Sequence, residues 1–305
     1  MSESTLPQAK ALCGFLNILK PPGMSSAAVV GRVRYLLAGA KVGHAGTLDP
    51  EAAGVLPLMI GKATRLFDYM QEKQKTYITE VAFGIATDTQ DAQGKAMQCG
   101  GIIPSEAAVR AALPAFVGEI EQTPPMFSAL KRDGRRLYDL ARQGETLALE
   151  PRPVTVHALS LQAMTARNGA LLQVSCSKGF YVRTLCHDLG KALGGHAHMR
   201  FLLRTQSGTF TLDTAHTLES LTDAAVRGEA QTLLLPMDAP LQHLPQVDVP
   251  IQLSKALLTG VPLPVRALPS APPDDQPVRL YLRSVLTAIG RRRGDAVYAC
   301  TWLGA

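Results

Sequence analysis

A glycine-rich loop around a single acid is the part of this sequence best suited to chemistry. The loop reads Lys-Val-Gly-His-Ala-Gly-Thr-Leu-Asp-Pro-Glu-Ala-Ala-Gly over residues 41–54, with its acid at Asp49. Glycine lets a ligand approach the backbone closely, and Pro50 pushes the residue before it towards an extended conformation. The pattern predicts a carboxylate presented on a rigid turn. The alternative is an ordinary β-turn whose aspartate bonds its own backbone, and the loop alone favours it because such aspartates are common.

Two tyrosines and one arginine stand where predicted elements begin or end. Tyr77 lies near the start of residues 75–85, whose apolar positions alternate as in a strand with one buried face. Tyr181 and Arg183 fall where a predicted strand over 169–177 gives way to helical spacing, and the mouth of a cleft often lies at such a junction. An arginine there could complement a buried acid. The alternatives are a core tyrosine and a surface arginine.

Apolar periodicity and capping residues predict the elements that carry the Asp49 loop. Residues 14–20 are typical of a short strand, and Ser25 or Ser26 can cap the helix that follows it. Residues 55–60 form an apolar run that predicts a buried strand anchoring the loop, and 62–73 predicts a helix.

The rest of the chain alternates between predicted helices, strands and turns. We expect a helix from Ser105 to Phe116, an extended diproline segment over 122–131, an amphipathic helix around 137–144, strands near 152–161 and 169–177, a helix over 217–228, a linker over 235–250 and a small final unit of one helix and strands.

Composition is that of an ordinary water-soluble protein with more than one domain. The chain has 305 residues, of which 46% are hydrophobic and 18% charged. No apolar run reaches membrane-spanning length, and the N-terminus lacks the pattern of a signal peptide, so we expect no membrane association and a cytoplasmic location. Five scattered cysteines without a Cys-x-x-Cys pair predict neither a zinc site nor disulfides, and we expect them to be small buried side chains: 13, 99, 176, 186 and 300.

Basic residues are concentrated in three stretches. Residues 1–48, 178–210 and 277–305 each hold five basic residues against one acid, a net charge of +4, whereas 211–275 holds three against eight, a net −5. This asymmetry favours a polyanionic partner, with nucleic acid ahead of a membrane surface. Ordinary solvated surface is the alternative.

Several motifs, at wide separations and in the same order, resemble the bacterial tRNA pseudouridine-55 synthases, the TruB family. They are Lys20-Pro-Pro-Gly with Ser25-Ser26, the loop around Asp49, Lys75-x-Tyr77 and Ser177-Lys-Gly-x-Tyr-x-Arg-Thr-Leu. The resemblance is carried by residues 14–210 and extends only loosely to the acidic stretch and the C-terminal unit.

The resemblance implies an α+β (mixed α/β) fold and three segments. A pseudouridine-synthase-like catalytic domain around a largely antiparallel sheet would occupy residues 14–245, after an N-terminal extension over 1–13. Residues 246–305 would form a small PUA-like β domain that binds RNA.

The implied activity is an isomerisation of uridine 55 in the T loop of tRNA, without cofactor or metal. It breaks the C1′–N1 glycosidic bond, rotates the uracil and rejoins it through C5. Asp49 would be the essential catalytic residue, acting as a nucleophile at C1′ or as a base that removes the 2′ proton through a glycal route. Either route needs the ionised acid, and by resemblance Arg183 would pair with it.

The other site residues follow from the same resemblance. Tyr77 would stack on the uracil and Tyr181 would line the same pocket. The target base must be flipped out, and His44 would fill the vacated space. Lys20 and the basic stretches would hold RNA phosphates.

The partner implied is the T stem-loop of tRNA, bound by a monomer that requires no protein partner. Two other readings stay open. One is an RNA-binding or RNA-folding factor that keeps the scaffold without the chemistry. The other is a guide-RNA-dependent relative that works inside a ribonucleoprotein.

Overall fold

The protein is built on two main β-sheets, with two further two-stranded sheets and several short helices. The computed structural model describes residues 12–70, 74–127, 131–132, 135–136, 147 and 149–304. The predicted amphipathic helix around 137–144 and most of the predicted N-terminal extension lie outside these residues.

The strands of the described residues are β1 (Gly14–Lys20), β2 (Val42–His44), β3 (Ala53–Ile60), β4 (Lys75–Phe83), β5 (Ile85–Thr87), β6 (Ala96–Cys99), β7 (Gly118–Gln122), β8 (Lys131–Arg132), β9 (Arg135–Arg136), β10 (Arg152–Thr165), β11 (Gly169–Cys176), β12 (Ala197–Ser207), β13 (Phe210–Thr211), β14 (Gln246–Asp248), β15 (Leu263–Pro264), β16 (Pro277–Leu282), β17 (Val285–Arg293) and β18 (Ala296–Trp302).

The α-helices are α1 (Ser26–Leu36), α2 (Glu106–Ala112), α3 (Val182–Ala192), α4 (Leu218–Val226) and α5 (Ser254–Leu258). Segments of 3₁₀ helix cover Gly61–Tyr69, Leu113–Phe116, Leu212–Thr214, Ala230–Leu233, Ala239–Leu241, Ile251–Leu253 and Val265–Ala267.

The larger sheet has nine strands, and its main path runs β1-β3-β12-β4-β11-β10-β7. Its pairings are antiparallel except for β12 with β3, which run parallel over a short contact. The prediction of a mixed α/β fold around a largely antiparallel sheet is therefore confirmed. β12 lies between β3 and β4, so it connects the strand after the Asp49 loop to the strand that carries Tyr77.

The first residue of helix α1 is hydrogen-bonded to the Asp49 loop. Ser25 is the N-cap, with its side chain accepting from the Ala28 N–H. Ser26 bonds the loop instead: its Oγ donates to the Leu48 carbonyl at 3.0 Å and accepts from the Leu48 N–H at 2.9 Å. Val29 and Val33 are fully buried on the face that packs against the sheet, as the apolar spacing predicts.

The segment predicted as a helix over 62–73 is instead a 3₁₀ helix that ends at Tyr69. With three residues per turn, Ala63 and Leu66 stack on one face and are fully buried. Phe67 then faces away and is 45% exposed, whereas α-helical spacing would have placed it beside Leu66. The tighter turn explains this correction.

The predicted linker over 235–250 packs against the body of the protein. Leu235 exchanges two backbone hydrogen bonds with Phe15 at 2.9 and 2.7 Å, and Leu241 is fully buried. Its prolines interrupt regular structure, but its leucines still contribute to the core.

The smaller sheet, β14-β16-β17-β18-β15, has its own apolar core and is docked on the larger domain. A shared cluster joins Tyr281 and Leu303 to Phe15 and Val55. Polar contacts reinforce it: the Tyr281 hydroxyl donates to Asp238, and the Tyr69 and Thr301 hydroxyls lie 2.7 Å apart. The first strand of this sheet begins at Gln246. The division at residue 246 stays a prediction.

All five cysteines are free thiols, but their burial differs. Cys176 and Cys186 are fully buried, and burial raises the pKa of each thiol to about 12. Cys99 and Cys300 are exposed, so the prediction of five buried side chains is wrong for these two. Among the described helices, none is long and apolar enough to cross a bilayer.

Candidate active site

Asp49 lies in the turn between β2 and β3, with its carboxylate facing Arg183. The backbone forms a turn, since the Ala52 N–H donates to the Asp49 carbonyl at 3.1 Å. The carboxylate instead meets the guanidinium, with Arg183 Nε 3.1 Å from Oδ2 and Nη2 3.4 Å from Oδ1. The side chain of Asp49 is 38% exposed. The Asp49 carboxylate is therefore held by a buried guanidinium and remains partly accessible to solvent.

Arg183 lies in the first turn of α3 and is 5% exposed, so it is no surface arginine. Beyond Asp49 it donates from Nη2 to the Phe127 carbonyl at 2.8 Å and from Nη1 to the Thr89 carbonyl at 3.2 Å. Asp91 lies 3.6 Å from Nη1. The predicted pairing of Arg183 with Asp49 is present, and the same side chain ties three separate segments together.

The ionisation of Asp49 depends on opposing influences. Burial raises the pKa of its carboxyl above the ordinary value, Arg183 lowers it, and Asp91 and Lys20 act in opposite directions. Arg183 is thus the strongest influence that favours the charged form. Asp91 was not among the residues that the sequence analysis singled out.

Lys20 does not face RNA, which corrects its predicted contact with phosphate. Its side chain is fully buried, and Nζ donates to the carbonyls of Pro21, Pro50 and Ala52 at 2.8, 2.8 and 2.7 Å. All three N–H bonds are used on backbone. Burial lowers the pKa of Lys20 to about 8, so it stays largely protonated at neutral pH. Lys20 therefore ties the backbone just after Asp49, at Pro50 and Ala52, to the turn that begins at Pro21.

Tyr77 is positioned by its strand, and Tyr181 by hydrogen bonds to its backbone. Tyr77 is 7% exposed near the start of β4, and burial raises the pKa of its phenol while Arg204 opposes that shift. Tyr181, half-buried, is the N-cap of α3. Gln122 holds its backbone by accepting from the Tyr181 N–H at 2.9 Å and donating to its carbonyl at 3.2 Å.

His44 is the last residue of β2 and is half-buried in the same loop as Asp49. Burial and the charge of Arg204 lower the pKa of its imidazole, and the Gly46 backbone opposes them. The ring is therefore neutral at physiological pH. A neutral imidazole can stack or donate without adding a charge to the site.

Arg204, like Lys20, is a cation of this site that the sequence analysis interpreted wrongly. It was counted in the basic stretch 178–210 that was expected to hold RNA phosphates, yet it is fully buried in β12 and donates to the Val55, Thr47 and Gly46 carbonyls. Alternation from Ala197 and Met199 would place Arg204 on the outward face of β12, but the register of the strand shifts between Met199 and Phe201 and Arg204 is buried instead. Among the described residues, no group of three or more His, Cys, Asp or Glu side chains is placed to hold a metal ion.

Comparison with known proteins identifies this arrangement. The model of the TruB family pseudouridylate synthase N-terminal domain matches residues 34–182, and that of the tRNA pseudouridylate synthase B C-terminal domain matches 183–242. The chain is 45% identical over 279 residues to tRNA pseudouridine synthase B of Ralstonia pickettii, covering 90% of this chain and 86% of that protein. It is also 45% identical over 247 residues to the protein of that name from Alkaliphilus oremlandii, covering 81% of each.

The chain belongs to the TruB family of pseudouridylate synthases. The predicted family and the predicted class of enzyme, an isomerase, are both confirmed. Solved structures similar to this TruB-family chain include a Cbf5-Nop10-Gar1 complex, with a TM-score of 0.73 at 27% identity over 98% of this chain and 91% of that one. Another is an H/ACA RNP bound to a substrate RNA containing 2′-deoxyuridine, with a TM-score of 0.72 at 26% identity over 96% of this chain and 85% of that one.

Proposed function

We propose that the protein is a tRNA pseudouridine synthase that converts uridine 55 of the T loop to pseudouridine. The proposal is supported by the relatives' name and carried by one observation, the partly exposed Asp49 carboxylate held by the buried Arg183. A protein that only binds RNA gains nothing from a carboxylate near a polyanion, since like charges repel.

The geometry supports a division of labour among the site residues. Asp49 reacts at the ribose, as a nucleophile at C1′ or as the base for the 2′ proton. Tyr77 stacks on the flipped uracil and Tyr181 lines the pocket, while His44, neutral, fills the space the base leaves. Arg183 keeps the carboxylate charged and oriented. These roles belong to the proposal.

Exposed cations lie on α1 and at the first residue of the Asp49 loop. Arg32, Arg34 and Lys41 are exposed, and the Arg32 guanidinium lies 5.7 Å from the ring centroid of Tyr35, which is 75% exposed. Cations beside an exposed aromatic ring suit an RNA backbone and an unstacked base. We therefore assign this face to tRNA, in place of Lys20.

Other basic residues of the predicted RNA-binding stretches are engaged within the protein. Arg200 pairs with Glu80 at 2.7 Å, and Arg279 is buried and donates to the Leu244 carbonyl. Arg291 and Arg292 lie 3.3 and 3.9 Å from acids of the acidic stretch, Asp275 and Asp274. The C-terminal net charge of +4 therefore overstates what this unit offers to RNA.

The decisive experiment follows tritium from C5 of uridine, which is released because C5 forms the new bond to ribose. Purified protein is incubated alone with an unmodified T stem-loop tritiated at uridine C5. We expect release by the native protein and by the exposed-acid control Asp68→Asn, and none by Asp49→Asn. A stem-loop with cytidine in place of uridine 55, labelled at its other uridines, should release nothing.

Each alternative function has its own outcome in this assay. Release that requires an added guide RNA or partner protein would favour a ribonucleoprotein relative, the setting of the similar H/ACA RNP structure. Absence of pseudouridine with native protein, together with tRNA refolding that Asp49→Asn leaves undiminished, would favour a folding factor. Equal release by native protein and Asp49→Asn would remove Asp49 from the chemistry.

The remaining assignments extend the same proposal. A tRNA substrate fits a cytoplasmic location, and a site assembled from one chain fits a monomer that needs no protein partner. The five-stranded C-terminal sheet supports a PUA-like RNA-binding domain over 246–305. Light scattering on the purified protein would test the monomer.

A further inference from the structure

Arg204 lies between the strand that follows the Asp49 loop and the strand that carries Tyr77. It lies on β12, where its register partners are Gly54 of β3 on one side and Tyr77 of β4 on the other. Gly54 is the residue at which the Asp49 loop rejoins the sheet. The approach is close, because a Cβ added to Gly54 would lie 2.2 Å from the Arg204 carbonyl oxygen. One residue thus adjoins both the acid's loop and the aromatic side chain.

Each nitrogen of the Arg204 guanidinium bonds a backbone carbonyl, two of them in that loop and one in β3 just after it. Nε donates to the Val55 carbonyl at 2.7 Å, Nη1 to Thr47 at 3.2 Å and Nη2 to Gly46 at 3.3 Å. Among the residues that the structure describes, no carboxylate lies within ion-pair distance of it. Burying a cation without a counter-ion costs free energy. The hydrogen bonds of Arg204 to these carbonyls, and the effect of its charge on neighbouring groups, must offset that cost.

The charge of Arg204 acts on different groups from that of Arg183. It lowers the pKa of Tyr77, His44 and Lys20, each of which is also shifted by burial. The charges that shift the pKa of Asp49 most are those of Arg183, Asp91 and Lys20. The two buried arginines therefore act on different groups of the site.

We propose that Arg204 is a positioning residue of the reaction. It fixes the position of the Asp49 loop relative to the Tyr77 phenol. It acts through the carbonyls of Gly46 and Thr47 on one side and through its cross-strand neighbour on the other. Being fully buried, it makes no contact with RNA. The inference deepens the proposed function and rests on it.

The first test separates chemistry from binding. Arg204→Met and Arg204→Lys are compared with Arg200→Met, which removes the same charge from the same strand outside the site. We measure single-turnover tritium release at saturating stem-loop RNA, the RNA dissociation constant and the melting temperature. Misplacing reacting groups by an ångström costs on the order of 100-fold in rate, so Arg204→Met should lose about that much with its dissociation constant within about twofold.

The lysine variant tells charge from geometry. An ammonium keeps the charge but lacks the rigid fork that reaches three carbonyls, so Arg204→Lys should recover only part of the rate that Arg204→Met loses. Arg200→Met should react at the native rate. A rate for Arg204→Met that equals the native rate would overturn the inference.

The second readout does not depend on activity. Ring-labelled histidine is titrated by NMR, with the His44 resonance assigned from a His44→Gln variant. Arg204 is the charge that most lowers the pKa of His44, and Lys75 lies on the same side near Gly46. The pKa of His44 should therefore move up in Arg204→Met and stay close to the native value in Arg204→Lys and Arg200→Met.

The outcomes distinguish this inference from the function on which it rests. A native protein that releases no tritium would overturn the proposed function, whatever His44 does. In Arg204→Met, tritium release could fall only in proportion to the folded fraction while the pKa of His44 stays at its native value. That result would show Arg204 to be a purely structural residue and overturn the inference.

Discussion

The Asp49 carboxylate combines partial exposure with a close guanidinium. Its side chain is 38% exposed while that of Arg183 is only 6% exposed, so water screens the acid more than the base. An exposed ion pair adds little to stability, but an anchored guanidinium still sets where the carboxylate points. At the scale of single residues, the pair is therefore better explained by orientation and charge than by stability.

Replacing Arg183 should move the acid limb of the pH–rate profile. Burial raises the pKa of Asp49, and the active form is the ionised one, so activity falls as the pH drops through that pKa. Removing the strongest opposing charge in Arg183→Met raises the pKa further, and the acid limb should shift to higher pH by about 1–3 units. The check is kcat/KM for tritium release from pH 5 to 9.

Arg183→Lys serves as the control for this experiment because it retains a positive charge next to Asp49. Its acid limb should stay nearer to the native position even if its rate falls because lysine cannot also reach the Phe127 and Thr89 carbonyls. An acid limb that does not move in Arg183→Met would contradict the assignment of the limb to Asp49.

At the scale of elements, the site depends on the parallel pairing between β3 and β12. Leu203 and Arg204 pair there with Ala53 and Gly54. Gly54 adopts a φ of 115°, which strongly favours glycine, and its missing side chain makes room for the backbone of β12. This pairing brings Arg204 under the Asp49 loop.

Gly54→Ala should therefore destabilise the protein by about 2–5 kcal/mol, through backbone strain and a backbone clash together. Gly228→Ala is the matched control, because Gly228 has a φ of 72° but no atom within 4 Å of an added Cβ. It should cost only the strain, about 1–2 kcal/mol. The free energy of unfolding of both variants is measured with urea. Equal losses of stability would show that the close approach of the β12 backbone to Gly54 adds no cost of its own.

At the scale of the whole molecule, the charges divide into those used internally and those left for a partner. Arg32 and Arg34 on α1 are exposed, whereas Arg291 and Arg292 pair with acids of the segment between β15 and β16. The C-terminal unit is docked through a shared apolar cluster. Arg291 and Arg292 are therefore held in place as part of the fold.

The salt dependence of RNA binding should report this division. Each cation that binds a phosphate contributes about 0.7–0.9 to the steepness of log affinity against log salt, because it releases a counter-ion. We expect Arg32→Ala with Arg34→Ala to flatten the slope by about 1–2 for the T stem-loop, and Arg291→Ala with Arg292→Ala to leave it close to native. A flatter slope in the second pair alone would place the RNA on the C-terminal unit instead.

Local patterns in the sequence already determine much of this protein. Strand β1, helix α1 with its serine cap, the buried β3 and the strand-to-helix junction at Tyr181 follow from apolar period, capping residues and turn residues, which act over a few positions. The motif order identified the family, and with it the acid. These features need no knowledge of distant contacts.

Only the tertiary structure decided what the cations do. In the sequence Lys20, Arg200, Arg204 and Arg291 are equivalent basic residues, yet two are buried beneath the Asp49 loop and two are paired with acids elsewhere in the chain. Burial and pairing depend on which strands become neighbours, as β12 does between β3 and β4. Composition counts charge, whereas the fold determines which charge meets solvent, because a fully buried guanidinium cannot reach a phosphate.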